Sequence, residues 1–211
     1  MNNNILTYKK TLNKALLNNL PGASAQNKMY PPTRLISPIE HNNPPKKCSV
    51  MIVLSPYKDF FKTLVIRRSE YDGIHSKQIS FPGGKYEDID GELLNTAIRE
   101  TYEEISLKID KNDVVGKLTD IYIPPSNFLV TPYVSIINTI PSLKKDPIEV
   151  SDIIEIDLSI IMNDDAIKSH TISNSKYGKI SVPCFVQDGN IIWGATAMVL
   201  SELREILLKV E

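Results

Sequence analysis

Residues 92–105 constrain what this chain can fold into more than any other stretch. Successive side chains on a helix turn by about 100°, so Leu94, Ala97, Ile98, Thr101 and Ile105 share one arc while Glu100, Glu103 and Glu104 gather on another, roughly 100° wide. The apolar arc must lie on a core. Carboxylates at i, i+3 and i+4 repel one another and cost helix stability unless something positive compensates. Such a helix needs a core beneath it and positive charge beside it.

Strand-like segments flank the helix on both sides. Residues 49–55 and 63–67 read as two strands around a turn holding Pro56, Lys58 and Asp59, and residues 79–84 as a short strand ending in the glycine pair. Residues 114–123 and 128–137 read as strands around Pro124-Pro125-Ser126-Asn127. Asp157 is placed to cap a short helix ending near Met162. Residues 180–187 and 191–193 read as a hairpin around Asp188-Gly189-Asn190, and a last helix runs over about 195–209. Residues 5–17 have helical spacing and stop at Pro21-Gly22. A connector with Pro31, Pro32, Pro38, Pro44 and Pro45 is expected to run extended over the surface. Strands and helices mix without regular βαβ alternation or repeats. The expected fold is α/β, a mixed β-sheet packed between helices, with an N-terminal extension over 1–45 packed on a domain over 46–211.

Composition closes off several classes. Lys+Arg 24 against Asp+Glu 25 leaves a formal charge of -1 and no chain-wide attraction to nucleic acid or anionic membrane. Lys9, Lys10, Asn13 and Lys14 interrupt any signal-like apolar run at the start, and no later run nears the roughly 20 residues of a membrane helix. Cys48 and Cys184, the only cysteines, are too few for a disulfide scaffold or a cysteine zinc site and are expected to be buried free thiols. The cytoplasm is the default compartment. Neither a nucleic-acid nor a membrane partner is expected; a homodimer, with the N-terminal segment contributing, stays open.

Arg99 can reach Glu103 at i+4, but one arginine cannot neutralise three carboxylates. Hard oxygen ligands within reach of one point suit Mg2+ or Mn2+ better than zinc. Alone, such a cluster is an ordinary solvated helix face. Here it follows Phe81-Pro82-Gly83-Gly84 and an acidic loop with Glu87, Asp88 and Asp90. Glycines there let a strand end close tightly and backbone N–H groups approach a phosphate.

Residues 84–107 resemble the Nudix box, the loop–helix signature of the Nudix hydrolases, with its Arg-Glu-x-x-Glu-Glu core present as Arg99, Glu100, Glu103 and Glu104. The Gly84 to Arg99 spacing is one residue longer than the general pattern, and Ser106 stands where glycine is usual. The longer loop resembles that of the coenzyme A pyrophosphatase branch, in which an aspartate falls at Asp90. Residues 64–84 are similar to that branch's second signature at Arg68, Ser69 and Phe81-Pro82-Gly83-Gly84, whereas Gly73 and Lys77 replace its usual arginine and glycine. Pro21-Gly22 with Ala25-Gln26 and Met29, Ile123-Pro124-Pro125-Ser126-Asn127-Phe128 and Ile192-Trp193-Gly194-Ala195-Thr196 resemble the same branch.

The resemblance implies the Nudix fold and hydrolysis of a diphosphate in a small-molecule nucleotide, with Mg2+ (or Mn2+ as a substitute) held by Glu100, Glu103 and Glu104 and with Arg99 steadying one of them. Gly83 and Gly84 shape the loop. The base that takes the water's proton is a box glutamate or a remote one, Glu149 ahead of Glu155, which suits the exposed position of an alternating strand. The branch implies coenzyme A or an acyl-CoA, cut to 3′,5′-ADP and 4′-phosphopantetheine. Arg67, Arg68 and Lys77 are candidates for its 3′-phosphate, with Arg68 matching the signature. His75 is a further phosphate candidate that a loop histidine's ordinary exposure also explains, and Trp193 either stacks a base or packs in the core. ADP-ribose, another dinucleotide or a nucleoside triphosphate remain alternative substrates. A non-catalytic nucleotide-binding regulator or a purely structural module are the readings from other classes.

Overall fold

The computed structural model describes residues 2–18, 20–32, 41–70, 77–174 and 178–210. Pro38, Gly73 and His75 lie outside the described residues.

The centre of the molecule is β1 (Lys46–Tyr57). Its side chains alternate between two apolar layers, Met51 and Val53 on one side and Ile52 and Leu54 on the other, so the strand reads as a continuous apolar run because both its faces are covered. One edge pairs in parallel with β7 (Phe128–Ile136) over nine residues, from Lys46↔Phe128 to Leu54↔Ile136. The other edge is shared. Leu54–Tyr57 pairs antiparallel with β2 (Phe60–Arg68), while the first half of β1 pairs with β4 (Gly83–Lys85). β1 and β2 therefore splay apart, and the segment from β3 (Ile79–Ser80) to β4 fills the gap, bonded first to β2 and then to β1. β5 (Val114–Lys117) and β6 (Ile121–Ile123) pair with β7, and β8 (Val150–Asp157) covers the outer edge of β2.

One face of this sheet carries α3 (Leu93–Ile105), whose Ala97 and Ile105 are fully buried against Met51, Leu64 and Ile66. The other carries α1 (Asn2–Leu17) and α5 (Gly194–Leu207), with Leu12, Leu16, Leu200 and Leu203 in the second layer. Each such fully buried leucine or isoleucine contributes about 1.5–3 kcal/mol. A three-stranded sheet of β9 (Lys168–Asn174), β10 (Gly178–Gln187) and β11 (Asn190–Trp193) adjoins α5. Asp157 caps the short α4 (Leu158–Met162), accepting from the Ser159 N–H at 3.0 Å.

Two expectations need correction. Residues 79–84 are two strands, because Phe81-Pro82 breaks the ladder and the glycine pair opens the second strand. Residues 114–123 are likewise two short strands, and β9 had no apolar alternation to announce it. Ahead of the proline-rich connector, α2 (Ala23–Gln26) and the 3-10 turn Asn27–Met29 bury Ala25, Gln26 and Met29, and residues 41–45 of the connector are exposed and without helix or strand. Gln26 and Gly22 dock on Glu202 of α5, which is fully buried and accepts from Gly22 N at 3.1 Å, Gln26 Nε2 at 2.8 Å, Thr119 N at 3.3 Å and Thr119 Oγ1 at 2.6 Å. Asn127, at φ 54, tolerates the left-handed turn after Pro124–Ser126, and its amide donates to Asn43 O, pinning the approach to β1. Cys48 and Cys184 are buried free thiols.

Candidate active site

The splay between β1 and β2 decides where the acidic arc of α3 lies. Ser49 Oγ donates to Leu93 O at 2.6 Å, fixing the first turn of α3 on β1. Directly above β4, contact is so close that no side chain fits on the glycines. A Cβ on Gly83, at φ 152, would stand 2.3 Å from Ser49 O, and one on Gly84 would stand 2.3 Å from Glu100 Oε1. The Gly83 N–H donates to Glu104 Oε2 at 2.9 Å. The pair thus seats the two inner glutamates, and the Gly83 N–H is spent on Glu104 rather than left for a phosphate.

Arg99 is the hub. Its Nε and Nη2 grip Asp90 at 2.8 and 3.0 Å, its Nη1 donates to Glu100 at 3.0 Å and Glu103 at 2.9 Å, and Nη2 also reaches Lys85 O at 3.2 Å. Thr96 Oγ1 and the Glu87 N–H add bonds to Asp90 at 2.7 and 2.9 Å. The Arg99 guanidinium holds the Asp90 carboxyl well below the usual carboxylate range, helped by the Glu87 N–H and Thr96.

Glu104 differs in kind. It is 1% exposed, and burial pushes its carboxyl up to about 8 against the pull of the Gly83 N–H and Arg68. Burial likewise raises Glu100, opposed by Arg99 and reinforced by the charges of Glu103 and Glu149. Arg68 Nη1 approaches Glu104 only to 3.4 Å, because it projects from the α3 side of β2, where Leu64 and Ile66 also point, next to a register shift against β8.

Glu149, on the loop before β8, is exposed and close enough to raise both Glu100 and Glu104. The structure therefore brings Arg99, Glu100, Glu103, Glu104, Glu149, Arg68, Gly83 and Gly84 together. It does not bring in Lys77, whose ammonium pairs with exposed Glu70 at 2.8 Å. Arg67 leaves by the opposite face to Asn190 Oδ1 at 2.6 Å, and Glu155 is exposed and paired with Lys62 at 2.7 Å. Trp193 is half-buried, at the start of α5.

Among the described residues no three carboxylate, imidazole or thiol groups already converge as a ready-made ion cage. The donor set nevertheless fits a hard divalent cation. Glu100, Glu103 and Glu104 share α3, with Glu149 near enough to act on two of them, Arg99 divides its bonds between Asp90 and two of these glutamates, and Glu104 is a buried carboxylate with one N–H and a long arginine contact. Sequence reasoning gave Asp90 no partner, since its arginine lies nine residues on across a helix start. It also passed over Asp146, although Asp-Pro is a turn signal.

A mixed sheet splayed to seat a glycine pair beneath a carboxylate-bearing helix is a framework for hydrolysing phosphoric anhydrides. The chain belongs to the Nudix family: the NUDIX domain matches residues 45–155, more than half of its length. It is 32% identical over 143 residues to the uncharacterized Nudix hydrolase NudL of Photorhabdus laumondii, covering 67% of this chain and 75% of that protein. The human mitochondrial coenzyme A diphosphatase NUDT8 is 26% identical over 144 residues, covering 67% of this chain and 61% of that protein. Among solved structures, a MutT/nudix family protein from Enterococcus faecalis superposes with TM-score 0.54 at 14% identity, over 85% of this chain and 67% of that one. RenU, a Nudix hydrolase from M. Smegmatis, gives 0.52 at 10% identity, over 80% of this chain and 89% of that one. These two show the fold, which is the Nudix fold, and the chain is a pyrophosphohydrolase by family, resembling coenzyme A pyrophosphatases. Nudix hydrolases generally work with divalent metal ions. No helix among the described residues is long and apolar enough to cross a membrane.

Proposed function

We propose that this protein cuts the diphosphate of coenzyme A, or of an acyl-CoA, to 3′,5′-ADP and 4′-phosphopantetheine or its acyl derivative. The observation carrying the chemistry is the buried Glu104 carboxylate, seated by the Gly83 N–H on the helix that also carries Glu100 and Glu103, with the charges of Glu100 and Glu149 opposing its ionisation. Glu100, Glu103 and Glu104 would hold Mg2+, or Mn2+ in its place, which supplies positive charge to the diphosphate oxygens when bound. Arg99, anchored by Asp90, sets the rotamers of Glu100 and Glu103. Gly84 lets the Glu100 carboxylate lie against the strand, and the Gly83 N–H orients Glu104. Glu149 is the base: it takes a proton from water as the water oxygen bonds to one phosphorus. The bridging P–O bond breaks, its electron pair leaving with the other phosphate.

The substrate assignment is supported by the Phe81-Pro82-Gly83-Gly84 signature, by Asp90 in its longer loop and by the naming of the human and mouse relatives as coenzyme A diphosphatases. Arg68, on the same face as the box, is the cation for substrate phosphate; Arg67 faces away. Lys77 would have to exchange Glu70 for the substrate to take part. Coenzyme A, ADP-ribose and NADH incubated with magnesium or manganese, with products read by mass, test the assignment. Turnover of coenzyme A to the two named products is expected. Turnover of ADP-ribose with none of coenzyme A would remove it.

A further inference from the structure

The loop that carries Glu149 is tied to the box helix. Lys144 N donates to Ile105 O at 3.2 Å and Asp146 N donates to Glu104 O at 2.8 Å, satisfying carbonyls that the end of α3 leaves without helical partners. Asp146 then turns the chain. Its Oδ1 accepts from Ile148 N at 2.8 Å and Glu149 N at 2.9 Å, and its own carbonyl accepts from Val150 N at 3.0 Å. Pro147 stands at the second turn position, where its fixed φ belongs. On the far side Ser69 N donates to Glu149 O at 2.9 Å, next to Arg68. The Glu149 backbone is held by Asp146 on one side and by the end of β2 on the other, with no side chain of its own spent on the task.

We propose that Asp146 is a positioning residue of the hydrolytic site, which fixes Glu149 relative to Glu104 by gathering the Ile148 and Glu149 amides. The proposal rests on the reading of Glu149 as the base. The backbone bond from Asp146 N to Glu104 O makes the box helix itself the reference from which the loop is built. The role requires an acceptor oxygen at residue 146, not its charge. Asparagine therefore satisfies it and alanine does not.

Steady-state hydrolysis of coenzyme A with magnesium and amide hydrogen exchange form the test. Asp146→Ala is expected to lower kcat about tenfold to hundredfold, as misplacement by about an ångström does, with KM within about threefold. Asp146→Asn is expected to keep kcat within about threefold. In a Glu149→Gln background, itself down about a hundredfold or more, Asp146→Ala should add no further loss, because the two residues act as one unit. The Ile148 and Glu149 amides should be protected in the parent and in Asp146→Asn and exchange faster in Asp146→Ala. Should Asp146→Ala fold poorly, Pro147→Gly loosens the same exposed turn and should lower kcat in the same direction. Unchanged amide exchange in Asp146→Ala, or losses that multiply with Glu149→Gln, would overturn the role of Asp146. A fully active Glu149→Gln would instead overturn the reading of the base. An inert Glu149→Gln beside a fully active Asp146→Ala would sink the positioning role alone.

Discussion

Asp90 grips Arg99 with both carboxylate oxygens, at 2.8 and 3.0 Å, so the arginine that steadies the box glutamates is itself anchored by the loop before the helix. Removing one partner of a pair this buried costs about 3–5 kcal/mol, and the partial exposure of Arg99 places the cost near the lower end. Asp90→Asn should therefore destabilise the protein near neutrality. The Asp90 folded pKa is depressed, so its contribution is present above the unfolded value of 3.8 and is lost as pH falls from there toward the folded value. Urea unfolding of parent and variant should show a gap that is wide at pH 7 and narrows progressively below about pH 4.

Glu104 runs the other way. Its folded pKa is raised from 4.5 to about 8, so its contribution to stability is present below 4.5 and is lost as pH rises through 8. Chelator-treated protein should lose melting temperature across that window. Glu104→Gln should flatten the loss while lowering kcat by about a hundredfold or more, the exchange of stability for activity common at working sites. Melting curves at pH 5 and pH 8, with magnesium added back, check both.

Glu103 is half exposed and bonded to Arg99. Glu103→Gln should leave folding stability within about 0.5 kcal/mol, as at ordinary surface sites. Its expected effect is a fall in kcat with KM little altered, measured at saturating magnesium. Retention of full activity would remove Glu103 from the metal set.

At Gly84 an added methyl would meet the Glu100 carboxylate at 2.3 Å. Gly84→Ala should therefore displace Glu100, lower kcat by about tenfold to hundredfold and raise the magnesium concentration for half-maximal rate. A magnesium titration of the initial rate would show it.

Ser106 and Lys77, the two described positions where glycine is usual in the resembled signatures, have φ of 56° and 60°. An L-residue held there costs about 1 kcal/mol. Ser106→Gly, at the C-cap of α3, should raise stability by about that amount, and Lys77→Gly by a comparable amount with the loss of one exposed ion pair. Chemical denaturation measures both, and a fall in kcat for Lys77→Gly would return its ammonium to the substrate site.

The box helix was legible because its apolar and acidic arcs separate cleanly at helical spacing, and its apolar side chains lie where that spacing puts them. Arg67 and Arg68, adjacent in a strand, lie on opposite sides of β2, as strand alternation requires. What stayed hidden was set by tertiary contact. β9 is Lys168–Asn174, polar and largely exposed, with no apolar alternation to mark it. The break between β3 and β4 follows from the splay of β1 and β2, which no local pattern records. Glu202 reads as one more surface glutamate on a helix, yet it is fully buried because its partners come from residues 22, 26 and 119.

The carboxylate of Glu202 also makes the front and back of the chain mutually dependent. Trimming the protein ahead of Met29 to obtain a minimal catalytic fragment would strip away two of the groups that donate to it, leaving Oε1 to Thr119 and stranding Oε2 in an oily interior, at about 1–3 kcal/mol. A workable short form would have to carry an apolar replacement at residue 202, and sequence change at Gln26 is tolerable only in step with change on the last helix.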